Sequence, residues 1–260
     1  MSEPSTWLVI GPSGAGKTRW IAQQLQQNLE ASPVYFHLGG GSFPLDATLL
    51  SSQFPNLTVL EDDRAATALV EYQAAGCPIY IEVGFHIALQ SLQLPLNPLH
   101  SVAIAPPTPQ PSQWSNWADE TVTGLEMPWD TLSELQRLLL TSEVLDPASL
   151  DVFWQELTLG AYGDVKRAKG IFNLADGRVF TFQYVERSGE GDRSEYTELN
   201  RPRTLDGRPQ QFSGLEIVGN HLDRAALTET LQDSCLSDAT LSQYQAYLKT
   251  ETQPLQEVSR

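Results

Sequence analysis

The stretch Gly11-Pro12-Ser13-Gly14-Ala15-Gly16-Lys17-Thr18 satisfies the phosphate-loop pattern G-x-x-x-x-G-K-[ST] at every fixed position. Its flanks agree with it. Trp7 to Ile10 is a short apolar run of the kind a buried parallel strand makes, and Lys17 to Leu29 runs without Gly or Pro and reads as a helix. Strand, glycine turn and helix start form a phosphate cradle, because backbone N–H groups and the positive end of the helix face one point. The candidate nucleotide-binding residues are therefore Gly11, Ser13, Gly14, Ala15, Gly16, Lys17 and Thr18. Lys17 is placed to reach the β- and γ-phosphates, and Thr18 to offer its hydroxyl to Mg²⁺.

Beyond this stretch the first hundred residues alternate strand and helix signals. Val34–Leu38, Leu57–Leu60, 78–83 and Ser101–Ala105 read as strands. Between them, Leu45–Ser52 and Asp63–Ala75 read as helices. The alternation predicts an α/β fold, a phosphate-loop NTPase-type parallel sheet with helices on both faces. Ligands of such sheets lie beyond the carboxyl ends of the strands. Glu82, at the end of the strand 78–83, is a candidate to hold Mg²⁺ or orient attack on phosphate.

The run Pro106-Pro107-Thr108-Pro109-Gln110-Pro111 breaks the alternation as a stiff connector. Trp114, Trp117 and Trp129 follow, either packing the linker down or forming a docking patch. A helix is expected from Asp130 or Thr131 to Leu140. A second opens at the cap Asp146-Pro147 and ends near Gly160. Lys166–Leu174 and Val179–Val185 read as strands joined by an Asp176-Gly177 hairpin turn. The polar stretch from Ser188 to Gln211 reads as a long loop. Phe212–Val218 is a last strand, and His221–Cys235 and the tail from Asp238 are helical. The division this implies is a phosphate-loop domain at 1–115, a helical connector at 116–160, a small α/β module at 161–240 and a helical or frayed tail at 241–260.

The net charge of −16 argues against a general nucleic-acid surface. No apolar run has membrane-spanning length, the start has no signal-peptide core, and two distant cysteines, Cys77 and Cys235, suggest free thiols. A cytoplasmic protein without membrane or nucleic-acid partners is the expectation.

Two regions resemble the CobW-like P-loop GTPases, a family of metal-related chaperones and cofactor-assembly factors. One is the phosphate loop. The other pairs Lys166-Arg167-Ala168-Lys169-Gly170-Ile171 with Leu215-Glu216-Ile217-Val218-Gly219-Asn220-His221-Leu222-Asp223. The resemblance implies GTP or ATP with Mg²⁺ as cofactors, at most weak NTPase activity with Lys17 and Glu82 as catalytic residues, and a protein client. It also implies a C-terminal module of the family's type. Asp46, heading Asp46-Ala47-Thr48-Leu49-Leu50, matches an acidic family position and joins Thr18 and Glu82 as a Mg²⁺ candidate. The family's Asn-Glu-x-Gly is replaced by Leu38-Gly39-Gly40-Gly41, its C-x-C-C motif by Leu60-Glu61-Asp62-Asp63, and its Lys-x-Asp guanine signature is missing. A zinc-transfer role therefore does not carry over. An interaction protein that keeps the fold without turnover is the alternative. Lys166, Arg167 and Lys169 are expected on solvated faces, and His37, His86, His100 and His221 as ordinary core or surface residues.

Overall fold

A computed structural model describes residues 5–29, 31–107, 113–125, 133–186 and 193–252. The chain divides into two compact units: Met1–Thr131 with Val185–Gly191, and Leu132–Tyr184 with Asp192–Arg260.

The first unit is built on a six-stranded sheet in the order β3-β2-β4-β1-β5-β6. Its strands are β1 (Thr6–Ile10), β2 (Val34–Leu38), β3 (Thr58–Leu60), β4 (Ile79–Val83), β5 (His100–Ala105) and β6 (Glu120–Thr123), and every pairing is parallel. Helices α1 (Lys17–Gln27) and α2 (Leu45–Gln53) bury Ile21, Leu25, Ala47 and Leu50 against Val9, Tyr35, Tyr80 and Val102 on one face. Helix α3 (Asp62–Ala74) and the short α4 (Gln113–Trp117) bury Ala65, Leu69 and Trp114 against Leu8, Phe36, Ile81 and Ala103 on the other. A strand buried on both faces must be apolar throughout, and β1 and β4 obey this except at Thr6 and Glu82. The expected α/β sheet with helices on both faces is the observed architecture.

The second unit holds a five-stranded sheet, β10-β9-β8-β11-β7, with β11 (Gly214–Asn220) antiparallel to both β8 (Asp164–Asn173) and β7 (Glu134–Leu139). Strand β9 (Val179–Val185) follows β8 through the expected Asp176-Gly177 turn, where the N–H of Gly177 donates to Leu174 O. Helices α5 (Pro147–Thr158) and α6 (Arg224–Asp233) press Leu150, Phe153, Leu157, Leu227 and Leu231 onto Ala168, Phe172, Leu215 and Ile217. Both helices start at an aspartate cap: Asp146 accepts from the N–H of Ser149, and Asp223 from that of Ala226. Helix α7 (Asp238–Thr252) follows.

Three expectations from sequence need correction. The described part of the helix proposed for 130–140 is instead strand β7, because Leu138 enters the core and the backbone pairs with β11 from Glu134 to Leu139. The polar stretch 188–211 contains β10 (Arg193–Glu198), the outer neighbour of β9. Strand β6 extends the parallel sheet where no strand is expected. Of the three tryptophans, Trp114 packs in the core and Trp117 is more exposed, whereas Trp129 lies outside the described residues. Among the described residues, no helix is long and apolar enough to cross a membrane.

Candidate functional site

The site lies at the carboxyl ends of β1, β2 and β4. Three glycines of the loop after β1 have positive φ: Gly11 at 145°, Gly14 at 76° and Gly16 at 102°. Gly11 is also hemmed in by backbone, since a Cβ there would stand 2.3 Å from Ile104 O of β5. The loop therefore crosses the neighbouring strand too closely for any side chain at that position. Helix α1 starts at Lys17 with no side-chain cap and no acidic residue in its first turn. An uncapped helix start keeps its partial positive charge for an outside anion. The Lys17 ammonium is buried and donates to Gly11 O at 3.0 Å and Pro12 O at 3.1 Å, so it lies folded back along the loop.

The loop is braced from a place the sequence did not advertise. Just past β6, the N–H of Gly124 donates to Ala105 O, and the N–H of Leu125 donates to Ala15 O at 2.9 Å. Leu125 also rests its side chain beside Gly16.

Thr18, Asp46 and Glu82, far apart in sequence, meet at one point. The Thr18 Oγ1 lies 3.2 Å from Asp46 Oδ1 and 3.1 Å from Glu82 Oε1. Asp46 and Glu82 are 6% and 4% exposed, so two buried carboxylates share one hydroxyl that carries a single proton. Buried anions at this spacing repel unless a cation joins them. The donor set is hard oxygen throughout, which suits Mg²⁺. Asp46 sits in the first turn of α2, where the helix field favours an anion. Glu82 stands opposite Val9 of β1 and His37 of β2 in the sheet register. The Tyr35 hydroxyl donates to Glu82 Oε2 at 3.0 Å.

His37 belongs to this group, which sequence reading missed. Its Nδ1 is buried without a hydrogen-bond partner and lies 3.9 Å from Asp46 Oδ2. The available signal was its position: it is the last but one residue of β2, on the same face as Tyr35, two residues along. Just past the ends of β4 and β2, the His86 ring lies 2.8 Å from where a Gly84 Cβ would be and 3.1 Å from that of Gly39.

Other candidate residues lie elsewhere. Glu61, Asp62 and Asp63 form the exposed start of α3, and among the described residues no group of three or more His, Cys, Asp or Glu side chains is arranged to hold a metal. The basic cluster is not solvated as expected. Lys169 is 6% exposed, and Arg167 Nη1 pairs with the buried Glu216 at 3.1 Å, as does Arg137 Nε at 2.9 Å. The reason is register, since Glu216 of β11 stands between Lys169 of β8 and Arg137 of β7. Lys166 pairs with Asp164 at 2.9 Å. Burial pushes the Cys235 thiol up to about 11, so this cysteine is held in its protonated form.

Residues 138–236 match the family described as "Cobalamin synthesis protein cobW C-terminal domain". No curated protein matches the chain. Two solved structures are similar to it. One is the Zn(II)-bound YjiA GTPase from E. coli, at 11% identity over 90% of this chain and 99% of that one, with a TM-score of 0.30. The other is a Zn(II)-bound triple mutant of the YjiA GTPase, at 12% identity, the same coverage and the same TM-score. The family match spans the strand containing Lys166 to Ile171 and the segment Leu215 to Asp223, the two stretches on which the C-terminal resemblance rests. A segment that matches the CobW C-terminal domain therefore follows a phosphate loop in this chain.

Proposed function

We propose that the chain binds a nucleoside triphosphate, GTP or ATP, together with Mg²⁺, and hydrolyses it slowly to gate assembly or delivery for a protein client. The observation that carries this reading is the convergence of Asp46 Oδ1 and Glu82 Oε1 on Thr18 Oγ1, at the first turn of the helix that a phosphate loop opens.

Each residue has a definite task in it. The amides of Gly14 to Thr18 bind the phosphate oxygens. Lys17 leaves the carbonyls of Gly11 and Pro12 and pairs with the β- and γ-phosphates. Thr18, Asp46 and Glu82 hold Mg²⁺, directly or through its water. When bound, Mg²⁺ neutralises charge on the phosphate oxygens. Glu82 also orients the attacking water, which forms a bond to the γ-phosphorus as the bond to the bridging oxygen breaks. With no base-reading signature in the chain, GTP and ATP are expected to be poorly discriminated.

A second reading is favoured by one observation. Strand β2 ends at Leu38 and runs into Gly39-Gly40-Gly41, with no carboxylate in that turn. A chain so altered would bind nucleotide as an interaction protein without turnover. Fluorescent GTP and ATP analogues, titrated with and without Mg²⁺ into the full chain and its Lys17→Ala variant, test the proposal together with phosphate release. Mg²⁺-dependent binding, weakened roughly 100-fold by Lys17→Ala, is expected. Binding without phosphate release selects the second reading, and no binding by the wild type overturns both.

A further inference from the structure

We infer that Tyr35 is a positioning residue of the Mg²⁺ site, fixing Glu82 so that one carboxylate oxygen stays aimed at Thr18. The inference rests on the Mg²⁺-nucleotide reading above and assigns a role that neither the loop motif nor the family match reaches.

The geometry is specific. Glu82 is the one charged residue on β4, a strand otherwise made of Ile79, Tyr80, Ile81 and Val83, all buried. A carboxylate there can turn about its last bond and present either oxygen, or tilt toward Asp46, and each rotation alters what a cation would meet. Two hydroxyls prevent this by taking one oxygen each: Thr18 Oγ1 lies 3.1 Å from Oε1, and Tyr35 donates to Oε2 at 3.0 Å. Thr18 is only partly buried and is itself expected to move its hydroxyl onto Mg²⁺. Once it does so, the Tyr35 contact is what keeps Oε2 occupied and Oε1 facing the site.

Tyr35 is well built for holding still. It is 0% exposed, packed among Val9, Ile21, Ala47 and Leu50, and clamped from two helices and the sheet. It stands opposite Tyr80 in the register and so reaches diagonally to Glu82, two residues further along β4. A phenol rooted in a packed core has little freedom, so the oxygen it holds has little either. Metal ligands are commonly oriented by such outer partners, whose loss lowers metal affinity about 10- to 100-fold.

Tyr35→Phe removes the hydroxyl and keeps the ring. Tyr80→Phe is the control, since Tyr80 is a neighbouring buried phenol on the same sheet face, stacked on Trp7 at 5.0 Å. The full chain, loaded with a non-hydrolysable GTP or ATP analogue, is titrated with MgCl₂, and the analogue's affinity without Mg²⁺ and the melting temperature are measured alongside. Tyr35→Phe is expected to weaken Mg²⁺ about 10- to 100-fold with Mg²⁺-free analogue affinity unchanged, and Tyr80→Phe to change neither. In the Glu82→Gln background, Tyr35→Phe is expected to add nothing further, because the two act as a unit. Unchanged Mg²⁺ affinity in Tyr35→Phe overturns the inference. So does an equal loss in Tyr80→Phe, a matching loss of Mg²⁺-free affinity, or a Tyr35→Phe chain that does not fold, since each makes the hydroxyl a matter of stability alone. A wild type with no Mg²⁺-dependent affinity for either analogue overturns the nucleotide reading itself, an outcome distinct from the others.

Discussion

Glu82 and Asp46 approach the same Thr18 hydroxyl from different elements, one from the end of β4 and the other from the first turn of α2. Two carboxylates held on one hydroxyl would repel each other when both are ionised, and a cation bound between them would offset that repulsion.

Glu82→Gln is therefore expected to raise the melting temperature of the Mg²⁺-free protein by about 2–4 °C, since relieving one buried carboxylate is worth ~1 kcal/mol. Mg²⁺-dependent nucleotide binding should fall at the same time. Asp46→Asn should act in the same direction. Differential scanning calorimetry beside nucleotide titration checks this, and a variant that loses both stability and binding would show the carboxylate to be structural.

Gly11 and Gly84 predict opposite tolerance to alanine. At Gly11, an added Cβ meets the Ile104 carbonyl oxygen at 2.3 Å, and φ is 145°. Gly11→Ala should cost ~3 kcal/mol and abolish nucleotide binding. At Gly84, which has no positive φ, the nearest obstacle is the side chain of the exposed His86 at 2.8 Å, and the nearest backbone atom, Leu38 O, is 3.3 Å away. Gly84→Ala should cost under ~1 kcal/mol. Urea unfolding of both variants decides the order.

Acid should loosen the first unit partly through Asp119. Its carboxylate accepts from the Ser101 N–H at 2.8 Å and the Ser101 hydroxyl at 2.7 Å. These bonds to Ser101, helped by His100, hold Asp119 below its ordinary value of 3.8. A group lowered on folding stabilises the fold fully above its unfolded value, and that contribution fades as pH drops through the lowered one. Asp119→Asn should therefore narrow the stability gap between neutral pH and pH 3, as read by circular dichroism across that range.

The parallel sheet was legible because its strands are buried on both faces and show as apolar runs, such as Trp7–Ile10 and Ile79–Ile81. The phosphate loop was legible because its chemistry is local in sequence. Strand β7 was not, since Leu135, Leu138 and Leu139 are spaced as well for a helix face as for a strand, and only pairing with β11 decides. Strands β6 and β10, Glu120–Thr123 and Arg193–Glu198, lie at sheet edges, so they carry polar residues and lack the apolar signature. Within the site, Lys17, Thr18, Asp46 and Glu82 could be named from motif and resemblance. Tyr35, His37 and the Leu125 brace could not, because what joins them to it is strand register and a loop crossing, neither of which is written in neighbouring residues.

The helix opened by the phosphate loop carries Trp20 in its first turn, where its backbone N–H donates to Gly16 O at 2.8 Å. An indole sits about one helical turn beyond the lysine proposed to pair with phosphate. Its emission, isolated by replacing the other tryptophans with phenylalanine, would give an optical signal of events at the loop without an attached dye.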